Sequence, residues 1–207
     1  MSGKVVCYKV CLVAQGFSQV EGVDYFDTYA PVARLASLHA VIAMANHLGL
    51  ELHQVDIKGA YLNGKLMHDK VLYMRHPPGY HEDASRCVLH LRKSLYGLKQ
   101  ASRWWYQKFT QILSSLRFQQ CKVDQAVFYK HSKAPWAIIV IAVHVDDCTI
   151  AASSVSAVNT LKAGLHKHIK VTDLGKLHWM LRIEIKRDQA GGTVHLSQHS
   201  YIDSILR

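Results

Sequence analysis

The 207-residue chain has five cysteines (Cys7, Cys11, Cys87, Cys121 and Cys148) but no CxxC pair. An odd count at irregular spacing argues against a disulfide framework and predicts reduced thiols in an intracellular protein. The fourteen histidines do not supply a zinc site either. His166 and His168 are two apart, and His76 and His81 flank a turn, but neither pair meets cysteine at zinc-like spacing. Solvated or core histidine is the expected reading. The longest apolar run, Trp136 to Val143, falls far short of the roughly 20 residues a membrane helix needs. The N-terminus lacks the charged-then-apolar pattern of a signal peptide, so nothing in the sequence directs the chain out of the cell. Internal repeats, low-complexity segments and long linkers are missing as well. Acid is scarce: 15 Asp and Glu stand against 25 Lys and Arg, a surplus of ten positive charges. That surplus points to an anionic partner, nucleic acid first, with a merely soluble basic protein as the alternative.

What is present is an ordinary globular balance, 49% hydrophobic and 19% charged, long enough for one large domain or two small ones. "YKVCLVAQGFSQ" (Tyr8 to Gln19) alternates and breaks at Gly16, which predicts a strand and a turn. "LASLHAVIAMANHLGL" repeats apolar residues at three and four (Leu35, Leu38, Ile42, Ala45, Leu48), with Ser37 near its start and Gly49 near its stop. The strand "LELHQVDIKGAYL" follows, with Leu50, Leu52, Gln54 and Asp56 on one side. Residues 63 to 90 read as a hairpin and loops around the turn signals Asn63-Gly64 and Pro77-Pro78-Gly79. "SRWWYQKFTQILSSLRF" predicts a helix with Ser102 as N-cap and Trp105, Phe109, Ile112, Leu113 and Leu116 on one face. "DQAVFYKH" predicts a short strand, and "WAIIVIAVHVDDCTIAA" a strand–turn–strand hairpin. A helix capped by Ser153 or Ser154 then turns Val158, Leu161, Leu165 and Ile169 inward. A second hairpin, "HWMLRIEIKRDQAGGTVHLS", and the start of a helix, "YIDSILR", complete the chain. This order predicts an α+β fold, an antiparallel sheet with helices on one face.

The chemistry lies in Asp146-Asp147, set in the most apolar hairpin of a chain poor in acid. Burying two adjacent carboxylates is costly. Three arrangements tolerate them: a solvated plain turn, neutralisation by basic side chains, or divalent cations. Asp56 also ends an apolar strand, just before the small residues Gly59 and Ala60. Its distance along the chain leaves room for a helix and a strand to return the backbone to the same sheet edge. Three converging carboxylates offer hard oxygen ligands suited to Mg²⁺ or Mn²⁺. Such a site can hold two metals about 3.5–4 Å apart, the arrangement used in phosphoryl transfer. On a basic protein, this points to nucleotidyl transfer on a nucleic acid.

The segments "YKVCLVAQGFSQ", "GVDYFDTYAPVARL", "LELHQVDIKGAYLNG", "VLYMRHPPGY", "KSLYGLKQASRWWY", "VHVDDCTIAA", "TDLGKLHWMLRIEI" and "LSQHSYI" together resemble the reverse transcriptase of Ty1/copia-type LTR retrotransposons over almost the whole chain. "VDD" alone is weak; "QVDIKGAYLNG", "KSLYGLKQ" and "VDD" in this order and spacing are highly specific. The resemblance implies a right-hand polymerase, with fingers at 1–31 and 64–101, palm at 32–63 and 102–197, and the start of a thumb at 198–207, the thumb being otherwise missing. It implies an RNA-directed DNA polymerase whose two Mg²⁺ (or Mn²⁺) ions are held by Asp56, Asp146, Asp147 and the Ile57 carbonyl. It assigns Tyr61 to the sugar, where a ring rejects a 2′-hydroxyl, and Gly59 and Ala60 to the triphosphate through backbone N–H groups. Tyr96, Gly97 and Lys99 are placed along the nucleotide and template channel. The implied partners are an RNA or DNA template with primer and deoxynucleoside triphosphates, with no membrane. The implied place is intracellular, in a cytoplasmic virus-like particle or the nucleus. Oligomeric state is left open.

The bland readings remain beside these: Tyr61 as a strand tyrosine in a core, "LYGLKQ" as a helix-entry turn. Arg103 with Trp104-Trp105 reads either as a stacking and phosphate patch or, for Trp105, as core. Several positions depart from the pattern. Cys11 and Gln15 stand where an arginine and a lysine usually reach the triphosphate, with Lys4 and Lys9 nearby. His144 stands for a usual tyrosine, Ser102 for a proline, and Arg182 for a glycine in the hairpin that holds the primer. With only "YIDSILR" of a thumb, the expectation is a partial element copy. The alternative function is a catalytically inactive nucleic-acid-binding remnant. An RNA-binding sheet module is disfavoured, because carboxylates at the sheet edge repel phosphate without metal.

Overall fold

The computed structural model describes residues 10–66, 71–77, 79–80, 86–133 and 136–206. Four α-helices and eleven strands occur among them: α1 (Leu35–His47), β1 (Glu51–Ile57), β2 (Leu72–Arg75), β3 (Val88–Leu91), α2 (Ala101–Ser115), β4 (Gln119–Gln120), β5 (Val127–Lys133), β6 (Trp136–His144), β7 (Asp147–Ala152), α3 (Val155–His166), β8 (Val171–Lys176), β9 (Trp179–Met180), β10 (Ile183–Asp188), β11 (Thr193–Ser197) and α4 (His199–Ile205). The fold is mixed helix and antiparallel sheet, and no helix among the described residues is long and apolar enough to cross a membrane. Two compact units divide the chain, residues 1–29 with 61–108 and residues 30–60 with 109–207.

In the first unit β2 and β3 pair as an isolated antiparallel ribbon. A strand is expected over Tyr8 to Gln19; among the described residues, 10–15 join no ladder, and a 3₁₀ turn occupies Gly16–Ser18. Tyr8, Lys9, Lys4 and His81 lie outside the described residues. The alternation is real, but its partner is a loop. Ala14 N–H donates to the Tyr96 carbonyl at 2.7 Å. A Cβ on Gly16 would fall 1.8 Å from the Gly97 oxygen, and one on Gly97 2.0 Å from the Ala14 oxygen. Two glycines are therefore needed for these backbones to touch. Helix α2 begins at Ala101, two residues before the Arg103 start that a Ser102 cap implies, so Ser102 is not its cap; its hydroxyl donates to the Thr28 carbonyl instead.

The second unit is built on a six-stranded sheet in the order β4-β5-β6-β7-β1-β8, antiparallel throughout. The helices do not share one face, which corrects the expectation. Strand alternation sends Leu52, with Ala151 and Val140 opposite, into the cluster formed by Leu38, Val41, Ile42 and Ala45 of α1. The next residue, His53, points the other way and meets Lys162 of α3. Both faces of β1 are therefore covered, and Leu52, Val55 and Ile57 are all buried. The strands β9, β10 and β11 form a separate three-stranded sheet. Its inward residues Met180, Ile183 and Ile185 join the α1 face of the core.

Helix α1 starts at Leu35 with no side-chain cap of its own. Asp124, far along the chain, does the capping: its carboxylate accepts from Arg34 N–H, from the Ser37 hydroxyl and from Ala126 N–H. Burial would raise its pKa, but these hydrogen bonds, Ser37 foremost, outweigh it and hold the carboxyl below its ordinary value. The hydrogen bond from Lys162 similarly holds Asp173 down, against a smaller effect of burial. His53 is lowered by burial first, then by the Lys162 charge. In each case the unfolded chain binds more protons than the folded one between the two pKa values, so stability rises with pH there. We expect the urea unfolding free energy to fall as pH drops below 6.5, the ordinary histidine value, and again below 3.8, the ordinary aspartate value. His53→Gln should flatten the first fall and Asp124→Asn the second. A wild-type profile flat from pH 7 to 4.5 would contradict this.

Candidate active site

The second unit carries the acidic cluster. Strand β1 delivers Asp56 and the β6–β7 hairpin delivers Asp146 and Asp147. Asp56 stands directly opposite Asp147 in the β1–β7 ladder, and Ile57 N–H donates to the Asp146 carbonyl at 2.9 Å. The three acidic residues predicted from the sequence are thus brought together. Two residues, Val145 and Asp146, connect His144 to its partner Asp147. Val145 has φ +62°. A two-residue hairpin connection favours positive φ at its first position, where a β-branched residue is strained by about 1–3 kcal/mol. The turn is held tightly rather than relaxed.

Sequence reasoning missed two groups that engage these carboxylates. Lys58 Nζ lies 2.8 Å from Asp56 Oδ2, with Asp56 still partly open to solvent. Gln54 Nε2 donates to Asp147 Oδ1 at 2.9 Å. Their signals were a buried glutamine in an otherwise apolar row and a lysine two residues past the strand aspartate. The hydrogen bond and charge of Asp56, with a smaller effect from Asp146, raise the Lys58 pKa. The thiol of Cys148, fully buried, is pushed well up by burial and then by Asp147, Asp146 and Asp56 in turn. One thiol feels all three carboxylates.

Among the described residues, no three His, Cys, Asp or Glu side chains stand ready as a metal-ligand set. The donor set nevertheless suits a hard divalent cation, being all oxygen and all anionic. A cation arriving there would replace Lys58 as the partner of Asp56. That pair is solvent-exposed, so it is weak and screened.

The other predicted residues divide between the units. Gly59, at φ +61°, and Ala60, fully buried, follow β1 in the second unit. Tyr61, Tyr96, Gly97 and Lys99 belong to the first. There the rings of Tyr61 and Tyr96 meet at 5.0 Å, tilted by 53°. The backbone N–H of Lys99 donates to the Gln19 side chain, and its own side chain is exposed. A cavity in this unit is bordered by Gln15, Gln19 and Asp24 and, across from them in sequence, by Tyr73, Arg75 and His76. Cys11 is exposed, and among the described residues bordering the cavity Arg75 is the one lysine or arginine. The stacking patch considered around Arg103 is not formed: Trp104 and Trp105 are both buried, and Arg103 pairs with Asp27 at 3.1 Å.

Two further departures have visible consequences. His144 is half-buried opposite Asp147, and its Nδ1 is buried without a hydrogen-bond partner among the described residues. Leu181 (φ +50°) and Arg182 (φ +64°) are the central residues between the paired Met180 and Ile183. A two-residue turn with both φ positive explains why glycine is expected there. Arg182 instead lays its guanidinium over the Tyr201 ring, 5.3 Å from its centroid. Among the described residues, Cys11, Cys87, Cys121 and Cys148 are free thiols, and Cys7 lies outside them.

Paired carboxylates at the end of an antiparallel hairpin thus stand beside a third on the neighbouring strand. Comparison with known proteins gives the class. The family described as reverse transcriptase (RNA-dependent DNA polymerase) matches residues 2–207. The chain is 34% identical over 204 residues to the retrovirus-related Pol polyprotein from transposon TNT 1-94 of Nicotiana tabacum, covering 98% of this chain and 15% of that protein. It is 35% identical over 205 residues to the corresponding polyprotein from transposon RE1 of Arabidopsis thaliana, covering 99% of this chain and 14% of that one. A Ty5-1 transposon protein of Saccharomyces cerevisiae is 31% identical over 150 residues, 72% of this chain and 47% of its own length. The chain belongs to the reverse transcriptase family, as found in the Pol polyproteins of Ty1/copia-type retrotransposons. It spans about one-seventh of the first two relatives. At the level of the family, the activity is RNA-dependent DNA polymerisation.

Proposed function

We propose that this chain is the catalytic core of an RNA-directed DNA polymerase, extending a nucleic-acid primer by two-metal nucleotidyl transfer. The observation that carries the reading is Asp56 opposite Asp147, with the Asp146 carbonyl bonded to Ile57 N–H. Asp56, Asp146, Asp147 and the Ile57 carbonyl are the proposed ligands of two Mg²⁺ or Mn²⁺ ions. When bound, such ions make the primer 3′-hydroxyl easier to deprotonate and offset charge on the departing pyrophosphate. The remaining roles belong to the chain. Gln54 fixes the orientation of Asp147. Lys58 offsets the charge of Asp56 until a cation does so. Gly59 and Ala60 present N–H groups to the triphosphate, and Tyr61, backed by Tyr96, excludes a 2′-hydroxyl by bulk. Tyr96 and Lys99 line the nucleotide and template path. In this reading the second unit is the palm and the first the fingers.

Cys11 and Gln15 favour a second reading. Without the two usual cations, triphosphate recognition loses charge-assisted hydrogen bonds, and a fold that still binds nucleic acid without turnover becomes the alternative. Primer extension on poly(rA)/oligo(dT), with Mg²⁺ and separately with Mn²⁺, decides between them. The expected result is extension that stops on chelation. Salt-sensitive primer–template binding with no extension in either metal would establish the inactive remnant instead.

A further inference from the structure

The alternation of β10 turns Ile183, Ile185 and Arg187 toward the same side. The first two enter the apolar core. The third position of an apolar row is an unexpected place for a guanidinium, and the structure shows what it meets. Arg187 Nη2 donates to the Ala45 carbonyl at 3.0 Å, Nη1 to the Leu50 carbonyl, and Nε to Asn46 Oδ1 at 3.2 Å. These acceptors form the C-terminal end of α1 and its exit into β1. The helix ends through Gly49 at φ +64°, with Leu50 N–H returning to the Ala45 carbonyl at 2.8 Å. Ala45 therefore accepts twice, and a cation sits at the negative end of the helix, where it is favoured. The loop of the hairpin joins in: Asn46 Nδ2 donates to the Gly192 carbonyl at 2.6 Å, and Gln189 Nε2 to the Gly49 carbonyl at 3.3 Å.

The segment so gripped runs directly into β1 and reaches Asp56 one strand later. The near end of the same small sheet also reaches the site's floor. Thr149 Oγ1 donates to Met180 Sδ, Thr149 stands opposite Gln54, and Gln54 holds Asp147. We infer that Arg187 is a positioning residue, a three-pronged clasp that fixes the β10–β11 hairpin against the entrance of β1 and so sets where a primer end meets the three carboxylates. This rests on the proposed polymerase function, in which the β9–β10 turn around Arg182, at the other end of β10, holds the primer. Lysine cannot substitute, because a single ammonium does not present the planar fork that reaches three acceptors in different directions.

The test compares wild type with Arg187→Met, which keeps the apolar stem, Arg187→Lys, and the milder Asn46→Ala should the first two fail to fold. Amide hydrogen exchange over residues 183–197 reads the clasp itself. Primer–template Kd, by fluorescence anisotropy, and KM for deoxynucleoside triphosphate read its consequence. The expected result is faster exchange in that segment and a primer–template Kd raised about tenfold, with the nucleotide KM within about twofold of wild type. Arg187→Lys should behave like Arg187→Met. Unchanged exchange overturns the clasp. Faster exchange with unchanged primer–template Kd overturns the positioning role alone and leaves the polymerase reading standing. A parallel loss of both substrate affinities with a lowered Tm marks general destabilisation and also overturns it. A wild-type chain that binds no primer–template overturns the polymerase reading, and the positioning role with it.

Discussion

Asp146→Asn should lower divalent-dependent primer extension by at least about a thousandfold while leaving the metal-free chain as stable as wild type or slightly more so. A thousandfold corresponds to about 4 kcal/mol of lost transition-state stabilisation. The substitution is isosteric, and its backbone role survives, since the bond from Ile57 uses the Asp146 carbonyl and not its side chain. What changes is charge. Three carboxylates close enough to act on one Cys148 thiol repel one another without a cation. Neutralising one relieves that repulsion and removes a metal ligand together. Activity and metal-free stability should therefore move in opposite directions, which a loss of fold could not produce. Initial rates with Mg²⁺ and Mn²⁺ and urea unfolding with and without Mg²⁺ read both. Magnesium should stabilise wild type and not the variant. Retained extension in Asp146→Asn would remove the proposed mechanism. Lost extension with a lower midpoint in the absence of metal would reassign the residue to the fold.

The half-buried ion pair on the opposite face of β1 should respond unequally to removal of its two members. Lys162 Nζ bonds Asp173 Oδ1 and lies 3.2 Å from His53 Nδ1. Its side chain is 8% exposed, against 52% for Asp173. Asp173→Asn strands a buried ammonium beside a histidine and should cost about 2 kcal/mol. This is below the 3–5 kcal/mol of a fully buried pair because water screens the aspartate side. Lys162→Met exchanges the ammonium for apolar volume and leaves Asp173 to water, so it should fall within about 1 kcal/mol of wild type. Equilibrium urea unfolding at pH 7 measures both. Equal losses would show the pair acting as a simple attraction instead of a buried charge with one essential partner.

The candidate site was legible where chemistry is written in residue type. Asp146-Asp147 in an apolar hairpin and Asp56 at a strand end signalled carboxylates converging on a sheet edge, and the ladder places them together. The hairpin tip, the α3 cap at Ser154 and its inward face at Val158, Leu161 and Leu165 also followed from local pattern. Local pattern misled where a partner was distant. The alternation through Leu12 and Ala14 resembled a strand, but its neighbour is the backbone of Tyr96 and Gly97. For Trp104-Trp105 next to Arg103, a stacking surface was the weaker reading: both rings are buried, and helical spacing had already favoured core for Trp105.

Period, punctuation and the placement of charge within apolar runs thus determined, from the sequence alone, the helices α1 and α3, the two hairpins and the trio of acids, because each depends on neighbours a few residues away. Only the tertiary structure decided who answers those residues. Asp124 caps α1, Lys58 and Gln54 engage the acids, Arg187 clasps the exit of α1, and the helices cover both faces of the sheet. Several of these contacts join residues about ninety to one hundred and forty positions apart. A hydrogen bond depends on distance in space, and no periodicity along the chain encodes which remote donor arrives.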